Sequence, residues 1–246
     1  MQVQKDNTVG EIVAQNFRAA QIFERFGLDF CCGGKKTISD ACSNKGVNAD
    51  EVIDELLRVN ENGSSRQIDY NAWDIDFLIN YIIENHHSYV SKSMPVIFAH
   101  SQKVAEAHGE NHPEVIKIAE YFSTVKDELE AHLMKEEKML FPYIKKLVEI
   151  KKNNLEQHVP PFGTVMNPIK VMESEHENAG LLFAEINRLS NGYTPPDDAC
   201  TTFKVLYHEL NEFEQDLHTH IHLENNILHP KAIEFEKILN EQKNNK

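Results

Sequence analysis

The stretch HLMKEEKMLFP, residues 132–142, is echoed by HIHLENNILHP, residues 220–230, and this echo decides how the chain folds. His132, Glu136, Leu140 and Pro142 recur as His220, Glu224, Leu228 and Pro230, each displaced by 88 positions. A lone histidine stands one helix earlier in each half, His87 and His176, displaced by 89. Each half thus supplies a single His followed by His-x-x-x-Glu, the pattern of a duplicated helical hairpin.

Around these residues the apolar positions keep a helical period. Ile75, Leu78, Ile79, Ile82, Ile83 and Val90 mark a first long helix, and Ile118, Phe122, Val125, Leu129 and Leu140 mark a second after His112-Pro113. Asn167-Pro168 offers a cap with proline at the first helical position of a third. That helix continues through Ile169, Met172, Phe183 and Ile186, and a fourth, after Pro195-Pro196, runs through Phe203, Leu206, Leu210, Phe213, Leu217 and Leu228. Pro95, Pro142 and Pro230 are points where these helices kink or end. The chain reads as all-α.

Residues four apart on a helix differ by about 40° in direction and about 6 Å along the axis, so both face one neighbour. His132 and Glu136 form such a pair, as do His220 and Glu224, and all fall on the apolar stripes. Polar groups are costly to bury there without partners, and a metal supplies one. His87, His132, Glu136, His176, His220 and Glu224 are too many ligands for one tetrahedral zinc but suit two irons. Each carboxylate has two oxygens, so Glu136 and Glu224 are assigned as bridges. A bridging oxo or hydroxo group and a small external ligand would complete the two spheres. Glu128 and Asp216, each four residues before a ligand histidine, are expected to orient imidazole. His218 and His222 point about 160° from His220 and are expected on the solvent side. A ferritin-like scheme built on Glu84, Glu136, Glu173 and Glu224 is the rival, because Glu84-x-x-His87 and Glu173-x-x-His176 fit the carboxylate-bundle pattern. It leaves His132 and His220 unexplained.

Of 246 residues, 41% are hydrophobic and 26% charged, the composition of an ordinary globular protein. A net charge of −14 disfavours nucleic acid and anionic lipid as partners, and no basic patch offsets it. Residues 1–10 carry no basic segment followed by an apolar stretch, and no apolar run approaches about 20 residues, so neither secretion nor a membrane span is expected. Four cysteines, Cys31, Cys32, Cys42 and Cys200, make no disulfide framework and suit a reducing compartment.

Residues 1–59 read as a small helical domain with two short helices around Asp29-Phe-Cys-Cys-Gly-Gly34, the first ending at Gly27. Asn48 to Asp50 caps the second, which carries Val52, Ile53, Leu56 and Leu57. Residues 60–71, polar with Gly63-Ser64-Ser65, read as a linker, and 72–246 as the bundle. Lys35 and Lys36 favour thiolate at Cys31 and Cys32, candidates for iron or sulphur transfer or redox chemistry; Cys42 and Cys200 read as structural.

With DFCCGG at 29–34, HLMKEEKMLFP at 132–142, VMESEH at 171–176 and HIHLENNILHP at 220–230, the chain resembles the iron–sulphur cluster repair di-iron proteins, the RIC family within the hemerythrin-like group. The likeness covers nearly the whole chain. It implies a hemerythrin-like up-down four-helix bundle fronted by a small ScdA-type N-terminal domain that carries Cys31 and Cys32. The family's six iron positions fall on His87, His132, Glu136, His176, His220 and Glu224. His86 precedes His87 and leaves two candidates for that ligand, and His222 and His229 add imidazoles of no assigned purpose. The resemblance further implies cytoplasmic repair of clusters damaged by nitric oxide or peroxide, as a stress response, by a homodimer.

Three functional classes share these ligands. An iron donor would pass labile iron to damaged iron–sulphur proteins. An enzyme would bind nitric oxide and reduce it to nitrous oxide. A hemerythrin-like carrier or sensor would bind dioxygen, or the iron would simply be stored. The cysteine domain weighs against a plain oxygen carrier, and no shell-forming feature supports storage.

Overall fold

The computed structural model describes residues 3–61, 69–153, 155 and 160–244. It is all-α: among these residues the only strand-like pairing is an isolated bridge between Thr8 and Thr37. The central part of the expected linker, 62–68, lies outside the described residues. The chain divides into two compact units, one of Met1–Ile79, Leu147–His158 and His218–Lys246, the other of Asn80–Lys146 and Val159–Leu217. No helix among the described residues is long and apolar enough to cross a membrane.

In the first unit the N-terminal segment forms four helices, α1 (Val9–Gln15), α2 (Ala19–Arg25), α3 (Ile38–Lys45) and α4 (Ala49–Glu61), not the two expected. The stretch from 8 to 27 breaks because Asn16 takes an extended backbone and its side chain accepts from Arg18 N, a local bond that competes with the helix. Thr8 and Glu11 close a capping box at the start of α1. Gly27, at φ 66°, turns the chain back after α2. Val9, Ile12, Phe23, Ile38, Val52 and Leu56 are buried and form this segment's core.

The second unit is a bundle of helices. After α5 (Ile75–Tyr81) and a π-helical turn, Ile82–His87, come α6 (Ser88–His108) and α7 (Glu114–Lys135). A second π turn, Glu136–Leu140, leads into α8 (Phe141–Asn153). Then follow α9 (Met166–Leu189) and α10 (Thr201–Leu223); from His218 the chain belongs to the first unit again, which holds a third π turn, Glu224–Leu228, and α11 (His229–Asn244). Pro95 lies within α6 and does not end it, and α9 begins before Asn167, so Pro168 sits in its first turn. Phe122 of α7, Phe183 of α9 and Phe213 of α10 meet in the core, Phe183 stacked on Phe213 at 5.6 Å and Phe122 edge-on to it at 5.8 Å. All three are fully buried.

At one end of this bundle His112, between α6 and α7, holds Asp198 through Nε2 at 3.1 Å and Glu114 through Nδ1 at 3.2 Å. The hydrogen bond to Asp198 raises the His112 pKa above its ordinary value of about 6.5. The interaction is complete below the unfolded-state pKa and is lost as pH rises through the folded-state value. In a proton NMR titration His112 should therefore show a midpoint above that of a free histidine, and Asp198→Asn should bring it down; an unmoved midpoint counts against the pair.

Candidate metal centre

In the second unit two π turns set the donor atoms. His87 is the last residue of Ile82–His87, and Glu136 is the first of Glu136–Leu140. Glu136 Oε2 lies 3.4 Å from His87 Nε2 and 3.3 Å from His132 Nε2, placing one carboxylate between two imidazoles. His176 Nε2 is 2.9 Å from His132 Nε2. The ligand atoms of His132, Glu136 and His176 lie within 4.8 Å of one another, and these three side chains and His87 are buried. Two imidazoles and a carboxylate are a donor set suited to non-haem iron.

The outer nitrogens decide which ring nitrogens face inward. His87 Nδ1 donates to Glu137 Oε1 at 2.9 Å, and His132 Nδ1 to Glu175 Oε2 at 2.9 Å. An imidazole whose Nδ1 proton is held by a carboxylate turns the Nε2 lone pair inward and becomes more basic there. Burial alone would raise the Glu175 pKa, but hydrogen bonds from Lys135 and His132 hold it below the usual carboxylate range, so Glu175 stays ionised at neutral pH. Sequence reasoning missed both carboxylates, since neither stands at a repeat-related position. Of the adjacent pair at 86 and 87, His87 faces Glu136, while His86 Nδ1 lies 2.9 Å from Asp216 Oδ1.

In the first unit His220 and Glu224 are both buried, with Nε2 3.0 Å from Oε1. Glu224 opens a π turn as Glu136 does: His229 N reaches Glu224 O, and Phe141 N reaches Glu136 O. Both turns run into a proline, Pro142 and Pro230, whose missing N–H and bulky ring disfavour the ordinary i→i−4 bond just before it. A glutamate six residues before a proline was the available signal, and it went unread.

Several expectations are corrected. Glu84, needed by the ferritin-like scheme, is exposed. Glu128 is exposed and accepts the Asn178 amide at 2.6 Å, leaving His132 to Glu175, and Asp216 holds His86. His222 is fully buried and does not face solvent, because Phe17 and Phe30 of the same unit cover it at ring separations of 6.0 and 5.7 Å. Burial pushes its imidazole down to about 4, so it is neutral. His218 is half-buried. Cys42 is buried in α3, but Cys200, read as structural, is exposed with Sγ 3.1 Å from His108 Nε2.

Cys31 and Cys32 form no disulfide; their sulphurs lie 3.8 Å apart on a turn organised by Asp29. Asp29 Oδ1 accepts the N–H groups of Cys31 and Cys32 at 2.9 and 3.0 Å, and Oδ2 that of Gly33 at 2.8 Å. The Cys31 thiol also points at Asp29 Oδ1, at 3.2 Å. Its hydrogen bond with Cys32, burial and the nearby Asp29 charge all push the Cys31 pKa up, so this thiol is protonated at neutral pH, against the thiolate expected from the neighbouring lysines.

Buried imidazoles and carboxylates set among helices mark a metal-binding helical protein. The chain matches the hemerythrin HHE cation binding domain over residues 78–232, and ScdA_N, a domain of unknown function (DUF542), over residues 5–60. It is 35% identical over 230 residues to proteins named iron-sulfur cluster repair protein YtfE, from Escherichia coli O81 (strain ED1a), E. coli O1:K1 and Escherichia fergusonii. In each case the match covers 93% of this chain and 97% of the relative. The chain belongs to the family of these YtfE proteins.

Proposed function

We propose that His87, His132, Glu136, His176, His220 and Glu224 hold two irons and that the protein donates iron to iron–sulphur clusters damaged by nitrosative or oxidative stress. One observation carries the reading: Glu136 lies between two imidazoles whose outer nitrogens are held by carboxylates, and the His-Glu pair recurs 88 residues on with the same π turn. The relatives' name supplies the direction, since those proteins are named for cluster repair. An all-imidazole and carboxylate donor set holds ferrous iron less firmly than thiolates would, which suits release. Glu136 and Glu224 are the proposed bridges, with an oxo or hydroxo group between the metals; nitric oxide or dioxygen are the small ligands such a centre would meet. Cys31 and Cys32 are the proposed receivers of outgoing iron, because the Asp29, Cys31 and Cys32 ligand atoms also lie within 4.8 Å of one another. Damaged iron–sulphur proteins are the proposed clients, the cytoplasm the proposed place, and a homodimer the proposed assembly.

The test mixes reduced, iron-loaded protein with an iron-depleted cluster enzyme and, separately, with nitric oxide. Reactivation without sustained nitrous oxide is the expected result; many turnovers of gas without reactivation would replace donation with nitric oxide reduction. Cys31→Ser with Cys32→Ser is expected to slow reactivation severalfold at unchanged iron content. Equal rates would remove the cysteines from the pathway.

A further inference from the structure

Asn226 lies two residues beyond Glu224, inside the π turn Glu224–Leu228. Its amide nitrogen is 3.2 Å from the carbonyl oxygen of Phe30, 3.2 Å from that of Cys31 and 3.2 Å from His222 Nδ1. Its two N–H protons thus have the two peptide carbonyls of the cysteine turn as acceptors, with the His222 ring nitrogen beside them. The other end of the side chain is equally confined. A Cβ on Gly10 would stand 2.4 Å from Asn226 Oδ1, and one on Gly34 would stand 2.5 Å from it. Neither glycine has a positive φ, so close approach, not backbone conformation, demands glycine at both positions. Gly10 N donates to Gly34 O at 2.8 Å and ties the two walls of this notch together.

The cysteine turn is therefore gripped from two sides. Asp29 takes its inward N–H groups, and Asn226 takes its outward carbonyls. An apolar side chain could seal the same surface, but it would not select the peptide groups of Phe30 and Cys31. Directional hydrogen bonds set register where hydrophobic contact does not.

We propose that Asn226 is a positioning residue that registers the Cys31–Cys32 turn on the helical turn carrying His220 and Glu224. This rests on the reading of the cysteines as receivers of iron. The hook holds the thiols at one fixed place relative to that turn, so that iron released there meets both sulphurs without a search by the loop.

The test uses the full chain with Asn226→Ala, Gly10→Ala and the two combined. Rates of alkylation by iodoacetamide are mapped at Cys31, Cys32 and Cys42, alongside iron content, thermal stability and reactivation of an iron-depleted cluster enzyme. Losing the two carbonyl hydrogen bonds should speed alkylation of Cys31 about tenfold through local opening. Cys42, buried in α3, should stay protected, iron content should hold, and reactivation should slow by a similar factor. Gly10→Ala should do the same by expelling the amide. In the combined variant stability should recover, since the new methyl group then has space, while reactivation should stay slow. Unchanged Cys31 alkylation in Asn226→Ala, or a released turn with undiminished reactivation, overturns the proposal. Cys42 opening together with Cys31 also overturns it, because Asn226 would then anchor the whole fold. A wild-type protein that reactivates nothing counts against iron donation, and the alkylation rates still decide whether Asn226 holds the turn.

Discussion

Replacing His132 and His220 together with alanine is expected to leave a folded, helical protein that retains no iron. Both imidazoles are buried, and each lies against the carboxylate four residues on, His132 at 3.3 Å and His220 at 3.0 Å. Removing only a partner that orients a metal-bound imidazole commonly costs 10–100-fold in affinity, and losing the donor atom itself costs more. The two histidines are one repeat-related pair of the proposed site, so removing both takes one donor from each half. Each deletion leaves a small cavity but also removes a buried polar ring, so the two effects on the metal-free fold oppose one another. Iron per chain after anaerobic loading, with far-ultraviolet circular dichroism as the control for folding, measures the outcome. Two irons retained would restore the carboxylate scheme of Glu84, Glu136, Glu173 and Glu224, despite the exposure of Glu84.

The second large effect belongs to the fold. Phe213→Ala should destabilise the protein by about 3–5 kcal/mol, because Phe213 is the ring on which Phe122 and Phe183 both rest. Tyr89 approaches the same ring at 6.1 Å, so little around it can relax into the space. For a domain of this size the loss corresponds to a fall in melting temperature of roughly 6–20 °C. Metal-free protein is the proper sample, since bound iron adds its own stabilisation to the folded state. A shift below about 2 °C would mean that the cluster does not carry the bundle's core.

The centre's outer carboxylates bear on how such a site works. Glu137 and Glu175 accept hydrogen bonds from Nδ1 of His87 and His132, and Lys135 shares Glu175. A lysine competing for that carboxylate tempers the negative charge that His132 feels, so the two imidazoles are not equally basic toward a metal.

What could be read from the chain alone was whatever depends on neighbours along a helix. The 3.6-residue period placed His132 beside Glu136 and His220 beside Glu224, and the 88-residue echo tied the pairs together, because both are local patterns repeated in one dimension. The all-helical class followed for the same reason. Tertiary structure decided what faces each side chain. His222 reads as a solvent-side residue by helical angle, yet Phe17 and Phe30, some 200 positions earlier, bury it. Glu175, arriving from another helix, and not the repeat-related Glu128, accepts the hydrogen bond of His132 Nδ1. Gly10 and Gly34 look like ordinary turn and helix residues until the amide of Asn226 fills the space where their side chains would stand. Periodicity fixes direction around one helix; the identity of the group waiting in that direction is set only when distant segments pack.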